Sequence, residues 1–254
     1  MNFLEIYLAV LITILGLCIG SFINVVAYRT VNHLDFIHGR SECPKCHTRL
    51  GVLDLIPLFS YAFLGGKCRY CKCRISVRYF IVEFVCGLLF LGAFLVFGLS
   101  YSLIVALVLM CILMIICLID IDIMEIPDVL NVLIFLLGCI DFIINKNINF
   151  TSRVIGVFVV ALPMFILNWF VKDSFGGGDI KLFGALGFLL GYKLIVLTGF
   201  IAILLAGLYA IYLIITKKVD SKSHIPFGPY ICVGAVITYF WGMNILTWYF
   251  GLYI

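Results

Sequence analysis

The chain has 254 residues, of which 65% are hydrophobic and 12% charged, whereas about a quarter of the residues in a soluble domain are charged. This composition excludes a soluble globular protein and indicates a polytopic membrane protein. The net charge is +4, and the Lys and Arg residues lie in a few loops rather than in a basic stripe with interleaved aromatic residues, so we expect no nucleic-acid binding.

Long apolar segments divide the chain, and a membrane helix needs about 20 apolar residues. We predict an all-α polytopic membrane protein with about eight transmembrane helices. Their approximate ranges are residues 3–27, 80–97, 101–119, 129–144, 154–170, 182–190, 194–215 and 229–250. The sixth is too short to cross the membrane directly, because about nine residues of helix rise only about 14 Å and the hydrocarbon core is about 30 Å thick. We place it in a local hairpin with the seventh.

The chain is predicted to have three parts: a first transmembrane helix at 1–27, a cysteine-rich loop at 28–79, and a transmembrane domain at 80–254. The first helix lacks a basic segment before it, so we interpret it as retained rather than as a signal peptide. The 28–79 loop carries more than half of the Lys and Arg residues, which places it in the cytoplasm and the N-terminus outside.

The 28–79 loop contains two C-x-x-C pairs, Cys43 with Cys46 and Cys68 with Cys71. Two such pairs separated by about 20 residues are typical of a zinc ribbon, in which each pair forms a knuckle and four thiolates bind one zinc. We predict a structural zinc site here, because metal would hold together a loop with little hydrophobic core. A redox pair and unligated thiols are the alternatives. Cys73 is a spare thiol that could compete as a ligand.

Acidic residues lie where two apolar segments end or begin, and carboxylates at the edge of a bilayer are candidates for function. Counting spans from the cytoplasmic loop places both groups on the cytoplasmic face. The first group, after the third predicted helix, is Asp120, Asp122, Glu125 and Asp128. The second is Asp179, which follows Gly176-Gly-Gly, a glycine-rich stretch that we interpret as a flexible loop.

Structural interpretations of these acids stay open at this point. Asp120 is consistent with a helix-end carboxylate, and Asp179 with an N-cap of a helix that begins at Ile180. Asp128 suits the N-terminal end of the fourth helix, whereas Asp122 and Glu125 suit solvated turn positions.

The functional interpretation is that Asp120 and Asp179 together hydrolyse a peptide through water. One carboxylate would take a proton from water while the other, protonated, polarises the scissile carbonyl. Two carboxyl groups in one site favour such a one-proton state, because a second negative charge costs free energy. Glycine before Asp179 would let a backbone or a substrate approach closely.

These motifs resemble those of the type 4 prepilin peptidases, the GxGD-class aspartyl peptidases of bacterial inner membranes. One departure is Phe80, where the family pattern has proline after Arg-Tyr. The resemblance extends over nearly the whole chain and rests on Gly20-Ser-Phe-Ile-Asn24, Cys43-Pro-x-Cys46, Asp54-Leu-Ile-Pro57, Gly66-Lys-Cys68-x-x-Cys71, Arg78-Tyr79 with Glu83, Asp120 with Pro127-Asp128, Gly176-x-Gly178-Asp179-x-Lys181 and Pro226-Phe-Gly-Pro-Tyr230.

The resemblance implies cleavage of the basic leader of type IV prepilins or pseudopilins at the cytoplasmic face of the bacterial inner membrane. Pilus assembly, type II secretion and DNA uptake all stay open as the process that it serves. It assigns catalysis to Asp120 and Asp179. We expect substrate contacts from residues of the same motifs and from nearby acids that attract the basic leader: Gly176, Gly178, Lys181, Glu125 and Asp128. Many members also N-methylate the new N-terminus with S-adenosylmethionine.

A proton-coupled transporter that uses Asp120 and Asp179 is the alternative from another class. Transporters place such acids near the bilayer midplane on broken helices and often contain repeated halves. Here the acids lie at helix ends and no repeat is evident, which favours the peptidase.

Overall fold

A computed structural model of the chain describes residues 2–34, 42–43, 45–46, 48–145, 148–171, 175–216 and 225–251. Among these residues the regular structure is helical, with two isolated β-bridges and no strand. A 3₁₀ turn covers Val52–Asp54. The α-helices are α1 (Phe3–Val31), α2 (Phe59–Phe63), α3 (Val77–Phe97), α4 (Tyr101–Ile123), α5 (Asp128–Ile144), α6 (Phe150–Val159), α7 (Ala161–Phe170), α8 (Gly177–Ile215) and α9 (Gly228–Gly251).

Six helical stretches of the described chain are long and apolar enough to cross a membrane: α1, α3, α4, α6 together with α7, α8, and α9. Helix α5 is apolar and slightly shorter, with 17 residues. Helix α8 has 39 residues but is interrupted at Gly191, whose φ of 77° and ψ of 168° are not helical. Each predicted apolar segment therefore corresponds to one helix, to one part of α8 or, at 154–170, to α6 and α7 together, which confirms the all-α membrane fold.

The structure differs from the predicted helix limits at two places. The span predicted at 154–170 is present as one apolar stretch, Phe150–Phe170, but it is interrupted at Val160, because Pro163 has no backbone N–H and its ring clashes with the carbonyl four residues earlier. Helix α8 begins at Gly177, with Gly176 as its N-cap. Asp179 therefore lies in the first turn of a helix, and neither the flexible loop nor the helix start at Ile180 is observed.

The chain forms two compact units, Met1–Ile115 and Ile116–Ile254, with the boundary inside α4. In the first unit, α1 packs along α3 through glycines. A Cβ added at Gly16 would lie 2.7 Å from the Cβ of Phe90, and one at Gly20 would lie 2.8 Å from the Cα of Glu83. Small residues at such positions let two apolar helices approach closely in a membrane.

In the second unit, α8 is the central element and is contacted by α5, α6, α7 and α9. The backbones of Gly156 in α6 and Gly187 in α8 touch, so neither position has room for a side chain. A Cβ at Gly138 in α5 would lie 2.9 Å from the ring of Phe188. The part of α8 before the Gly191 break is thus fixed by close backbone contacts on two sides.

A buried ion pair lies beside the break in α8. The side chain of Arg153 is fully buried and its Nη2 lies 2.6 Å from Oδ2 of Asp141. Its Nη1 donates to the carbonyls of Phe188 and Leu189, at 3.2 and 3.3 Å. Carbonyls in the last turn of a helix lack intrahelical partners. Arg153 therefore caps the first part of α8 in the protein interior.

Candidate active site

Asp120 lies in the last turn of α4 and is only 4% exposed. Its Oδ2 accepts a hydrogen bond of 2.9 Å from the backbone N–H of Gly228, the first residue of α9. The first N–H groups of a helix have no intrahelical partner and favour anions. A Cβ at Gly228 would lie 2.7 Å from Oδ2 of Asp120, so this contact requires glycine.

Asp179 lies in the first turn of α8 and is 8% exposed. The glycines before it bring the helix close to the turn between α4 and α5. A Cβ at Gly178 would lie 2.9 Å from the Cβ of Ile126, whereas one at Gly177 would meet no atom within 4 Å. Gly178 is therefore the position at which close approach to the α4–α5 turn depends on the absence of a side chain.

The two aspartates share one pocket within the second unit. The pocket is open to the surface, has a volume of about 380 Å³, and is lined by Asp120, Met124, Glu125, Ile126, Asp128, Gly176, Gly177, Gly178 and Asp179. The α4–α5 turn forms one wall and the start of α8 the other. Met124 has a φ of 54° in this turn. This is a left-handed backbone conformation that is unfavourable for residues other than glycine.

The predicted substrate residues divide into two groups in the structure. Glu125, Gly176 and Gly178 line the pocket. The Glu125 carboxylate has no close ion pair among the described residues. Asp128 and Lys181 instead bind each other, with Nζ of Lys181 at 2.7 and 2.8 Å from the two carboxylate oxygens. This exposed pair joins the first turn of α5 to the second turn of α8. Asp122 is exposed and is not part of the pocket lining.

The arrangement supports acid–base chemistry on a bound water molecule. Two nearly buried carboxyl groups from different helices line one space of about 380 Å³. Close carboxyl groups titrate as a coupled pair and can share one proton. One group can then act as a base while the other donates a hydrogen bond.

The cysteine loop forms a second candidate site, in the first unit. The four Sγ atoms of Cys43, Cys46, Cys68 and Cys71 all lie within 4.8 Å of one another. An isolated bridge flanks each pair, Glu42 with Arg49 and Lys67 with Arg74. The predicted grouping is therefore confirmed, and four thiols in one cluster fit a tetrahedral zinc ion.

Local hydrogen bonds favour the thiolate form of Cys43. Burial raises the pKa of the Cys43 thiol, but the backbone N–H groups of Cys46 and Lys45, together with the thiols of Cys46 and Cys73, lower it by more, so that its pKa is about 6. Metal ligands must be thiolates, which a low pKa favours at neutral pH.

Asp54 ties the second knuckle to the 3₁₀ turn. Its carboxylate accepts hydrogen bonds from the N–H of Gly51 at 3.0 Å and the hydroxyl of Tyr70 at 3.1 Å, and Nε of Arg69 lies 2.6 Å away. Burial raises the pKa of Asp54, but these three partners outweigh it and the pKa is lowered overall. The carboxylate is therefore held in its charged form beside the cysteine cluster.

Sequence reasoning missed three residues that shape the pocket and its support. It quoted Gly228 within a motif but did not identify it as the donor to Asp120, and it assigned no role to Asp141 or Arg153. A signal for the last two was present, because a charged residue inside or beside an apolar segment is costly unless it is paired.

Comparisons with known proteins agree with the geometry. Residues 14–97 match the Bacterial Peptidase A24 N-terminal domain, and residues 107–211 match the Type IV leader peptidase family. The prepilin leader peptidase/N-methyltransferase of Bacillus subtilis is 34% identical over 93% of this chain and 95% of its own length. The chain belongs to the type IV leader peptidase family.

Other relatives in this family span nearly the same length. The prepilin leader peptidase/N-methyltransferase of Vibrio cholerae is 34% identical over 91% of this chain and 96% of its own. That of Legionella pneumophila is 31% identical over 98% of this chain and 96% of its own. No solved structure matches the chain. The family and the six long apolar helices make the chain an integral membrane protein.

Proposed function

We propose that this chain is a membrane aspartyl endopeptidase that removes the leader of type IV prepilins or pseudopilins, with Asp120 and Asp179 as its catalytic pair. The observation that carries the assignment of residues is the single pocket lined by both carboxyl groups. Family membership and the names of the relatives support the reaction and the substrate class.

In the proposed reaction, the ionised aspartate accepts a proton from water as the water oxygen bonds to the scissile carbonyl carbon. The protonated aspartate donates a hydrogen bond to the carbonyl oxygen, and its proton stabilises the tetrahedral intermediate. The amide bond then breaks, and the leaving nitrogen receives a proton from the pair. The Gly228 N–H bond fixes the orientation of the Asp120 carboxyl and leaves Oδ1 for water or substrate.

Glu125 is the acid that we expect to meet a basic residue of the leader. It is exposed and lines the pocket. Asp128 also lines the pocket, but its charge is already matched by Lys181. We therefore propose that Asp128 and Lys181 hold α5 and α8 together at the pocket. Any contact with the substrate would then be made by the ion pair rather than by a free carboxylate.

The orientation that suits this reaction has the pocket at the cytoplasmic face of the bacterial inner membrane and the N-terminus outside. A prepilin keeps its basic leader in the cytoplasm while its apolar segment enters the bilayer, so the scissile bond lies near that surface. The positive charge of the 28–79 loop supports the same orientation.

The cysteine loop is proposed to hold one structural zinc through Cys43, Cys46, Cys68 and Cys71. Four thiolates would complete the coordination of zinc and leave no position for a catalytic water. The N-methyltransferase names of the relatives support a second activity, transfer of a methyl group from S-adenosylmethionine to the new N-terminus of the cleaved substrate.

Cleavage of a prepilin peptide by the purified protein tests the catalytic pair. Asp120→Asn and Asp179→Asn keep the side-chain shape but remove the titrating group, so each should lower turnover by about 1,000-fold or more while peptide binding persists. The double variant should be scarcely slower than either single variant, because the two groups act as a unit.

Asp122→Asn is the matched control, since Asp122 lies in the same helix end but not in the pocket lining. It should keep most of the activity. Near-normal turnover by Asp179→Asn at equal protein levels would refute the catalytic pair and favour the transporter interpretation.

A further inference from the structure

A fifth thiol, that of Cys73, lies beside the cluster of four thiols and contacts two of them. Sγ of Cys73 is 3.1 Å from Sγ of Cys71 and 3.7 Å from Sγ of Cys43, and the Cys43–Cys71 sulfur distance is 3.8 Å. Two sulfurs bound at about 2.3 Å to one tetrahedral ion lie about 3.8 Å apart. The distances from Sγ of Cys43 to Sγ of Cys71 and to Sγ of Cys73 both match this value. Either thiol could therefore bind the same metal ion as Cys43.

The two knuckles share the same backbone hydrogen bond, and Cys73 lies at its acceptor position in the second knuckle. The N–H of Cys43 donates to the carbonyl of Thr48 at 3.0 Å, and the N–H of Cys68 donates to the carbonyl of Cys73 at 2.9 Å. Cys73 thus occupies in the second knuckle the position that Thr48 occupies in the first. The Thr48 side chain hydrogen-bonds the thiol of Cys46, a contact that lowers the Cys46 pKa. The second knuckle has a metal-binding side chain at that position instead.

We propose that Cys73 is an interchangeable zinc ligand: Cys43, Cys46 and Cys68 hold the ion together with either Cys71 or Cys73. On exchange, the Cys71 sulfur leaves the metal and takes up a proton while the Cys73 thiol loses one and binds, so charge is balanced. Cys71 is exposed whereas Cys73 is half-buried. When a reagent modifies Cys71, Cys73 keeps the site at four thiolates. The inference rests on the zinc site proposed above.

Cobalt titration of the full chain in detergent counts the thiolates, because each thiolate bound to Co²⁺ adds to the sulfur-to-metal charge-transfer absorption. Cys71→Ser and Cys73→Thr should each give the wild-type absorption and a zinc affinity within about threefold of wild type. Cys73→Thr copies the first knuckle, so it retains a hydrogen-bonding side chain. The double variant should lose about a quarter of the absorption and bind zinc about tenfold or more weakly. Cys46→Ser, in the other knuckle, should show the same loss alone.

Several outcomes would overturn the inference. If Cys71→Ser alone matches the double variant, Cys71 is an obligatory ligand. If Cys73→Thr alone loses absorption, Cys73 is obligatory rather than interchangeable. If the wild-type chain binds neither cobalt nor zinc, the zinc site itself is wrong, which separates the two failures.

Alkylation of the zinc-loaded wild-type chain provides a second measurement that needs no variant to fold. We expect iodoacetamide to modify one of Cys71 and Cys73 per chain, as found by peptide mass mapping, with no release of zinc. Release of zinc in step with modification of Cys71 would contradict the exchange.

Discussion

Gly228 leaves no space for a side chain beside Asp120, since a Cβ there would lie 2.7 Å from Oδ2. In Gly228→Ala we expect the Asp120 carboxyl to rotate away and lose its bond to the α9 backbone. A displacement of about 1 Å at a reacting group can cost about 100-fold in rate, so we predict a fall of that order in prepilin cleavage. The rate of prepilin peptide cleavage, compared with wild type at equal membrane expression, measures this fall.

Gly251→Ala is the control at the other end of α9, where an added Cβ meets no atom within 4 Å. It should leave turnover unchanged. Equal activity of the two alanine variants would show that the contact between Gly228 and Asp120 does not matter for the reaction.

At the residue scale, the prediction of Asp120 and Asp179 rested on two family motifs and on the position of both carboxylates at the ends of apolar segments, where such groups are costly. Their shared pocket agrees with that prediction. The Gly228 bond was not predictable, since it joins residues 108 positions apart and a backbone donor leaves no mark in a local pattern. The four-cysteine grouping was predictable because each knuckle is local in sequence.

At the element scale, the first part of α8 is the structure that positions Asp179, and its far end depends on Arg153. Residues 177–190 rise about 21 Å, less than the hydrocarbon core of about 30 Å, so this part ends inside the protein at Gly191. Arg153 donates to two carbonyls there and pairs with Asp141. The ion pair thus replaces the solvent that would otherwise satisfy a helix end.

Arg153→Met should strongly destabilise the second unit, because it leaves the Asp141 carboxylate buried without a partner. Breaking a buried pair in this way costs about 3–5 kcal/mol. Replacing both members, as in Arg153→Met with Asp141→Leu, removes the unpaired charge and should recover a substantial part of the loss. Thermal unfolding in detergent compares them. A double variant less stable than Arg153→Met would contradict this account.

Helix existence was predictable from apolar length, but two helix ends were not. A run of three glycines suggests a loop by intrinsic propensity. In the structure the run is helical from Gly177, because Gly178 packs on Ile126 and Lys181 binds Asp128. Tertiary contacts thus override local preference at the start of α8. The division at Val160 did have a local cause, in Pro163.

At the scale of the whole molecule, the proposed function depends on which side of the membrane the charged segments face. The 28–79 loop contains more than half of the Lys and Arg residues, and loops of this kind stay in the cytoplasm. In the proposed orientation, the short turn between α3 and α4 would be outside, and the α4–α5 turn that lines the pocket would be inside. A pocket on the outer face could not reach a leader that remains in the cytoplasm.

Single reporter cysteines test this orientation in a chain whose five loop cysteines are kept and whose others are replaced. Val52 and Leu99 are 84% and 71% exposed, so Val52→Cys reports on the loop and Leu99→Cys on the α3–α4 turn. With an impermeant maleimide on intact spheroplasts, Leu99→Cys should be labelled, whereas Val52→Cys should be labelled only after permeabilisation. The loop cysteines share the side of Val52 and should stay unlabelled in intact cells. Labelling of Val52→Cys without permeabilisation would reverse the orientation and remove the cytoplasmic pocket on which leader cleavage depends.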